Sequence, residues 1–317
     1  QPKQQWENPH KETWGGVTFN IDGDIADGPV AGLTVAKNKN ADFDGDGKSD
    51  VSIFRPDAGL WYYLNSSNGS AGGVAFGAPG DIPVPGDFDG DGKTDTAVFR
   101  PADGVWHLLT KAGVYTSRAF GSPGDVPVAA DYNNDGKTDL AVFRPSNSIW
   151  YIANSDSQGT FTFVQFGQAG DKPAPADYDG DGKADIAVFR PAGATGTEWW
   201  VQKSSGGVFA TQFGVSTDQA VPVDFTGDGK ADVAFWRPST GEWFILRSED
   251  LTYYAFPFGT TGDVAAPGDF DGDGKADPAV FRPSNAVWYM LRSQAGFTAV
   301  QFGLTGDRPV ENAYLPQ

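Results

Sequence analysis

One nine-residue pattern governs what this chain can fold into. Asp42-Phe-Asp44-Gly-Asp46-Gly-Lys-Ser-Asp50 recurs six times with small changes, its first residue falling at 42, 87, 131, 177, 224 and 269. The steps between copies are 45, 44, 46, 47 and 45 residues. A fixed period of this length marks a repeat architecture, in which each unit buries its apolar face against the next.

The rest of each unit repeats too. After the Asp loop comes an apolar run ending in Phe-Arg-Pro, such as Thr96-Ala-Val-Phe-Arg-Pro101. A turn follows, then a Trp-led segment such as Trp150-Tyr-Ile-Ala153, a Gly/Ser turn, and a run such as Phe161-Thr-Phe-Val-Gln-Phe-Gly167. A Gly-Asp-x-Pro segment then leads into the next loop. Each piece is short, rich in Val, Phe, Trp and Tyr, and bounded by turn residues, which reads as strand. With 42 Gly and 22 Pro in 317 residues, turns abound and long helices are disfavoured. Four strands per unit of about 45 residues predict an all-β chain folded as a β-propeller of four-stranded blades. An open β-solenoid is the competing architecture, but its coils are usually shorter.

Placing the innermost strand before each loop gives six blades from about Leu33 to Gly303, flanked by a head and a tail. The tail Gly306-Asp-Arg-Pro-Val310 reads as an inner strand. The head segment Gly16-Val-Thr-Phe-Asn20 loosely resembles an outer strand. The sequence therefore predicts seven blades, the seventh shared by head and tail, since such closure removes open sheet edges. Two alternatives remain: six blades with a free arm, or a head that completes a blade in a neighbouring molecule and so builds a filament. The domain division expected is an arm over residues 1–32 and a propeller over 33–317.

Asp-x-Asp-x-Asp-Gly-x-x-Asp suits calcium, which takes six to eight hard oxygen ligands at roughly 2.3–2.6 Å. Side chains at positions 1, 3 and 5 converge, Gly at position 6 allows the bend, position 7 offers a backbone carbonyl while its side chain faces water, and position 9 closes the site. The six ligand sets are Asp42, Asp44, Asp46, Lys48 and Asp50; Asp87, Asp89, Asp91, Lys93 and Asp95; Asp131, Asn133, Asp135, Lys137 and Asp139; Asp177, Asp179, Asp181, Lys183 and Asp185; Asp224, Thr226, Asp228, Lys230 and Asp232; Asp269, Asp271, Asp273, Lys275 and Asp277. The fifth is weakest, since Thr226 replaces a carboxylate. Magnesium prefers fewer protein ligands and several waters. About six Ca²⁺ ions, one per loop, are expected; without a cation, four convergent carboxylates would repel strongly.

These loops explain the charge. They hold over half of the 41 Asp and Glu residues, and six divalent ions would bring the formal charge from −18 to −6. The acidity therefore does not call for a cationic partner, and it makes nucleic acid an unsuitable one. No apolar stretch approaches the ~20 residues of a membrane-spanning helix. A chain that starts at Gln1 and has its single Met at 290 is expected to have a processed N-terminus.

These loops, the apolar strand after each, and the pairs Phe76-Gly77, Phe120-Gly121, Phe166-Gly167, Phe213-Gly214, Phe258-Gly259 and Phe302-Gly303 resemble the FG-GAP/VCBS-type repeats of integrin α-subunit propellers and bacterial surface proteins. The resemblance covers roughly residues 33–310. It implies calcium in the loop between the first two strands of a blade, an extracellular or cell-surface location in a bacterium, and a binding or scaffold role. Phe-Arg-Pro and Gly-Asp-x-Pro-Val stand where integrins carry Gly-Ala-Pro, which sets integrin-like ligand binding apart.

Two further positions recur in every unit: Arg55, Arg100, Arg144, Arg190, Arg237 and Arg282, and Trp61, Trp106, Trp150, Trp199 or Trp200, Trp243 and Trp288. The Trp residues either form a ring of sugar-stacking pockets or pack between blades, with each Arg bridging to a carboxylate or stacking on a ring. Asp81, Asp125, Asp171, Asp263 and Asp307 of the Gly-Asp pairs are candidates for that carboxylate.

Two His, no Cys and no Gly-x-Ser-x-Gly argue against an enzyme. The expected role is a non-enzymatic extracellular structural or adhesion protein, self-assembling through the N-terminal arm into a homopolymer. The alternative is a calcium-dependent lectin or adhesin that binds a surface glycan or protein.

Overall fold

The structure is a computed structural model that describes residues 41–155, 161–193 and 196–310, and two strands before them. It divides into two units, Gln1–Thr34 and Val35–Gln317. In the first, Lys11–Trp14 and Val17–Asn20 pair as an antiparallel two-stranded sheet. The second is a ring of six blades, each a four-stranded antiparallel sheet.

Blade II shows the pattern. Its strands, from the centre outwards, are Ile82–Pro83, Thr96–Arg100, Val105–Leu109 and Tyr115–Ala119. The second strand is buried on both faces except at its Arg, which is why it reads as an unbroken apolar run. The third alternates buried and half-buried residues. The outer strand is mostly exposed. Blades III to VI repeat this order, with second strands Leu140–Arg144, Ile186–Gly193, Val233–Arg237 and Ala279–Arg282.

Six apolar clusters join the blades, one at each junction. Phe99 and Trp106 of blade II pack with Val142 of blade III; Phe189 and Trp199 of blade IV pack with Val233 and Phe235 of blade V. Successive residues of a second strand point to opposite faces, so Ala97 and Phe99 serve one junction while Val98 serves the other, with Phe54 and Trp61 of blade I. Phe281 and Trp288 of blade VI meet Ile53 of blade I, which closes the ring.

This corrects the blade count. There are six blades, not seven, as in the six-bladed alternative. The tail does supply an inner strand, but to the first blade: Arg308–Pro309 pairs with Phe54 and Ile53, and Val310 N–H donates to Ser52 O at 3.1 Å. The place beside Val51–Arg55 expected for a segment starting near Leu33 is thus filled by the chain's far end. Residues 31–40 and 311–317 lie outside the described residues. The physical reason is ring closure: the inner strand that would have begun a seventh blade instead sews the first blade shut.

Candidate metal centre

Each Asp loop lies between the inner and second strands of its blade, and an antiparallel bridge closes its base, Gly86 to Asp95 in blade II and its equivalents in blades III to VI. In the first loop, Asp50 N–H donates to Ala41 O at 2.8 Å. The position 1 carboxylate organises the turn from inside. Asp42 Oδ1 accepts from Gly45 N–H at 2.6 Å and Oδ2 from Gly47 N–H at 2.9 Å. Gly45 and Gly47 have φ of 81° and 90°, a region that side-chain-bearing residues rarely adopt. In the third loop Asn134 takes the Gly45 place at φ 62°, which Asn tolerates. The position 5 carboxylate accepts from the position 7 amide, Lys48 N–H to Asp46 at 2.9 Å. The position 9 carboxylate spans the site: Asp50 accepts from Phe43 N–H at 2.7 Å and from Ser66 N–H at 2.6 Å.

The structure brings three of the predicted ligands together in each of four loops, leaving Asp46, Asp91, Asp181 and Asp277 outside the clusters. Carboxylate oxygens of Asp42, Asp44 and Asp50, of Asp87, Asp89 and Asp95, of Asp177, Asp179 and Asp185, and of Asp269, Asp271 and Asp273 lie within 4.8 Å of one another in each set. The Oδ1 atoms of Asp179 and Asp271 are buried without any hydrogen-bond partner. A buried carboxylate oxygen left unpaired is costly, and an all-oxygen cluster whose residues include such an atom fits a hard divalent cation. Loops three and five are the departures. Asn133 turns its amide N–H to Asp135 at 3.1 Å, and Thr226 leaves the fifth loop one carboxylate short.

The electrostatics agree. Burial, with the other carboxylates of the loop adding to it, pushes Asp50, Asp95, Asp139, Asp185 and Asp232 up to about 6 and Asp277 up to about 7. Burial also raises Asp42, Asp87, Asp177, Asp224 and Asp269. A cation would reverse this by stabilising the charged forms.

The loops also touch one another. The position 8 N–H of each donates to the position 1 carbonyl of the loop before it: Thr94 to Asp42, Thr138 to Asp87, Ala184 to Asp131, Ala231 to Asp177, Ala276 to Asp224 and Ser49 to Asp269, all at 2.6–2.7 Å. The position 7 lysine is not simply turned to water. The Lys93 stem lies against Gly45 of the preceding loop, where an added Cβ would come within 3.0 Å of it. Sequence reasoning missed one group, the serines of the turn after the third strand. Ser66 Oγ donates to Asp46, Ser204 Oγ to Asp181, Ser248 Oγ to Asp228 and Ser293 Oγ to Asp273. Their signal is a Ser two residues past the Trp strand, broken by Lys111 in blade II.

The recurring Arg and Trp are structural. Each Arg forms a bidentate pair with a buried Asp of its own blade, as Arg55 does with Asp307 and Arg100 with Asp81, at 2.8 and 2.9 Å. Five of these Asp were candidates from the sequence; the sixth, Asp218, pairs with Arg237 and was missed because Thr217 precedes it in place of Gly. The same Asp accepts a backbone N–H three residues back, Ala78 to Asp81 at 2.8 Å. Trp61, Trp106, Trp150, Trp199, Trp243 and Trp288 are 0% exposed, so a ring of sugar-stacking pockets built from them is ruled out. Trp199, not Trp200, holds the repeat position. Trp61 Nε1 donates to Phe76 O at 2.8 Å and Trp150 Nε1 to Phe166 O at 3.0 Å, which ties the Phe-Gly pair to the core.

Comparison with known proteins follows this geometry. A family model described as an FG-GAP-like repeat matches residues 42–98, 87–142, 131–188 and 224–280. No curated protein matches. Among solved structures, selenomethionine-substituted virginiamycin B lyase from Staphylococcus aureus is similar at 11% identity and TM-score 0.52, covering 82% of this chain and 83% of its own. Apo AztD from Citrobacter koseri aligns at 10% identity and TM-score 0.51, covering 81% and 83%. A streptogramin B lyase aligns at 12% identity and TM-score 0.50, covering 81% and 84%. At these identities the likeness is one of fold. No helix among the described residues is long and apolar enough to cross a membrane.

Proposed function

The chain belongs to the FG-GAP-like repeat family, whose model matches more than half of its 317 residues, and from that premise we propose that it is a non-enzymatic, calcium-braced propeller that serves outside the cell as a structural or adhesion module. The observation that carries the calcium reading is the buried, unpartnered Oδ1 of Asp179 and of Asp271, two members of the carboxylate clusters. Calcium supplies charge neutralisation and a multidentate cross-link when bound. The chain's own residues do the rest. The position 1 Asp shapes the loop, the position 9 Asp ties it to the third-strand turn through Ser66 and its equivalents, and the position 8 amide ties it to the next loop.

A scaffold role is supported by where the repeat's chemistry goes. The recurring Asp, Arg, Trp and Phe-Gly residues are spent on holding the ring together. Among the described residues, none of the six four-stranded sheets contains a strand from residues 1–32. In this reading those residues are available to join one copy to the next, and assembly through them makes a homopolymer. Sedimentation and electron microscopy of the full chain and of a variant lacking residues 1–32, both in millimolar calcium, test it. Concentration-dependent filaments or oligomers that vanish in the shortened chain are expected. Two monomers at high concentration would refute assembly through the arm.

A further inference from the structure

Blade II departs from the repeat beneath its Arg. In the other five blades the Arg guanidinium lies over an aromatic ring of the third strand: Arg55 over Tyr62 at 5.0 Å, Arg144 over Tyr151 at 4.5 Å, Arg190 over Trp200 at 5.2 Å, Arg237 over Phe244 at 4.3 Å and Arg282 over Tyr289 at 4.4 Å. At that register blade II carries His107, opposite Val98. An imidazole is smaller than a phenol or an indole. A cavity of about 280 Å³ opens there, lined by Phe76, Gly77, Val98, Arg100, His107 and Tyr115.

The polar groups in it are specific. Arg100 commits Nε and Nη2 to Asp81, whereas Arg144 and Arg190 also use Nη1, on Tyr151 and Glu198. His107 Nδ1 lies 2.9 Å from Tyr115 Oη. His107 Nε2 is buried and has no hydrogen-bond partner. Leaving a buried ring nitrogen unpaired has a cost that a Tyr, as in three sister blades, would avoid. Packing therefore favours a six-membered ring here, and the smaller His ring leaves the space beneath Arg100 open. A guanidinium only donates, and it matches carboxylates well. The walls are apolar: Phe76 and Tyr115 meet edge to face at 6.1 Å, and Val98 forms a side. Ligand sites usually start near 300 Å³, so this one suits a small molecule.

We propose that this cavity between blades I and II binds a small carboxylate with an apolar body, of benzoate size, through the free edge of Arg100, with His107, Phe76, Val98 and Tyr115 around the body. The test is titration of the full, calcium-loaded chain with benzoate and with its neutral analogue benzamide. It is followed by ring-nitrogen NMR of His107, with His10 as internal reference, and by calorimetry. Benzoate is expected to shift His107 saturably, with a dissociation constant of about 10 mM or tighter for a ligand of this size; benzamide should do far less. His107→Tyr, which restores the ring of three sister blades and fills the cavity, is expected to abolish the heat of binding at an unchanged or higher Tm. No benzoate shift, an equal response to benzamide, or a folded H107Y that binds benzoate as before would each overturn the proposal. The wild-type benzoate–benzamide comparison decides alone if H107Y does not fold.

Discussion

The backbone N–H of Thr94 donates to the carbonyl of Asp42 at 2.6 Å. Thr94 precedes the last carboxylate of the second loop, and Asp42 is the first of the first loop. The same bond recurs at every junction and closes between Ser49 and Asp269. The six loops are thus one hydrogen-bonded belt. Ordering one loop orders the carbonyl on which the next loop rests, so loop order and ring integrity are a single property.

Asp179→Asn separates a metal role from a packing role. Asp179 Oδ1 is buried without a partner, and Oδ2 accepts from Ser205 Oγ. In calcium the variant is expected to lose up to about 3 kcal/mol, the linkage from one site held roughly 100-fold above its dissociation constant. Without metal it is expected to be at least as stable as wild type, because one like charge is gone. Paired melting curves check this; an equal loss in both conditions would contradict it.

Acidity gives a second handle. The position 9 carboxylates are raised to about 6, and Asp277 to about 7, in the metal-free fold. A carboxyl raised on folding favours the protonated native state. Stability tied to these groups is therefore present near pH 4 and lost as the pH climbs to about 7. Calcium needs the ionised forms, so its stabilisation grows over that same window. The gap in Tm between calcium-loaded and metal-stripped protein is expected to widen from pH 4.5 to 7.5; a constant gap would speak against these ligands.

The tail strand makes a third prediction. Asp307 is 1% exposed at its side chain and grips Arg55 in the first blade. Breaking such a pair from the carboxylate side costs about 3–5 kcal/mol, so Asp307→Ala should destabilise the ring about as much as Asp81→Ala within blade II. Removing residues 304–317 should go further, baring the edge of Val51–Arg55 and raising aggregation by light scattering. A truncated chain that melts like the full one would place ring closure elsewhere.

Trp150 offers a fourth. It is fully buried between blades III and IV. Trp150→Ala is expected to cost about 3–5 kcal/mol by chemical denaturation. If the variant instead lost glycan binding at unchanged stability, the buried reading would fail.

Much of this was legible in the sequence because the physics is local. Asp at positions 1, 3, 5 and 9 with Gly at 6 can be read from a nine-residue window, and so can the strand that reads Thr96-Ala-Val-Phe-Arg100. The Arg–Asp bridge was legible as well, since both partners recur with the repeat. What failed was non-local. Gly306-Asp-Arg-Pro-Val310 has the pattern of the inner strands of blades II and III, and nothing in that pattern says its partner lies over 250 residues back, at Arg55. Trp61 and its equivalents fit a surface ring or a buried one equally well by position; only the packing of Phe54 and Val98 around Trp61 decides. Ser66 escaped notice because Lys111 interrupts its series in blade II.

In the proposed reading the loops are metal staples of one ring, and metal analysis of protein dialysed against 1 mM calcium, for wild type and for Asp185→Asn, checks this. About six ions per chain, one per loop, are expected, falling by about one in the variant. A chain that retains no calcium, or a count that Asp185→Asn leaves unchanged, would contradict it.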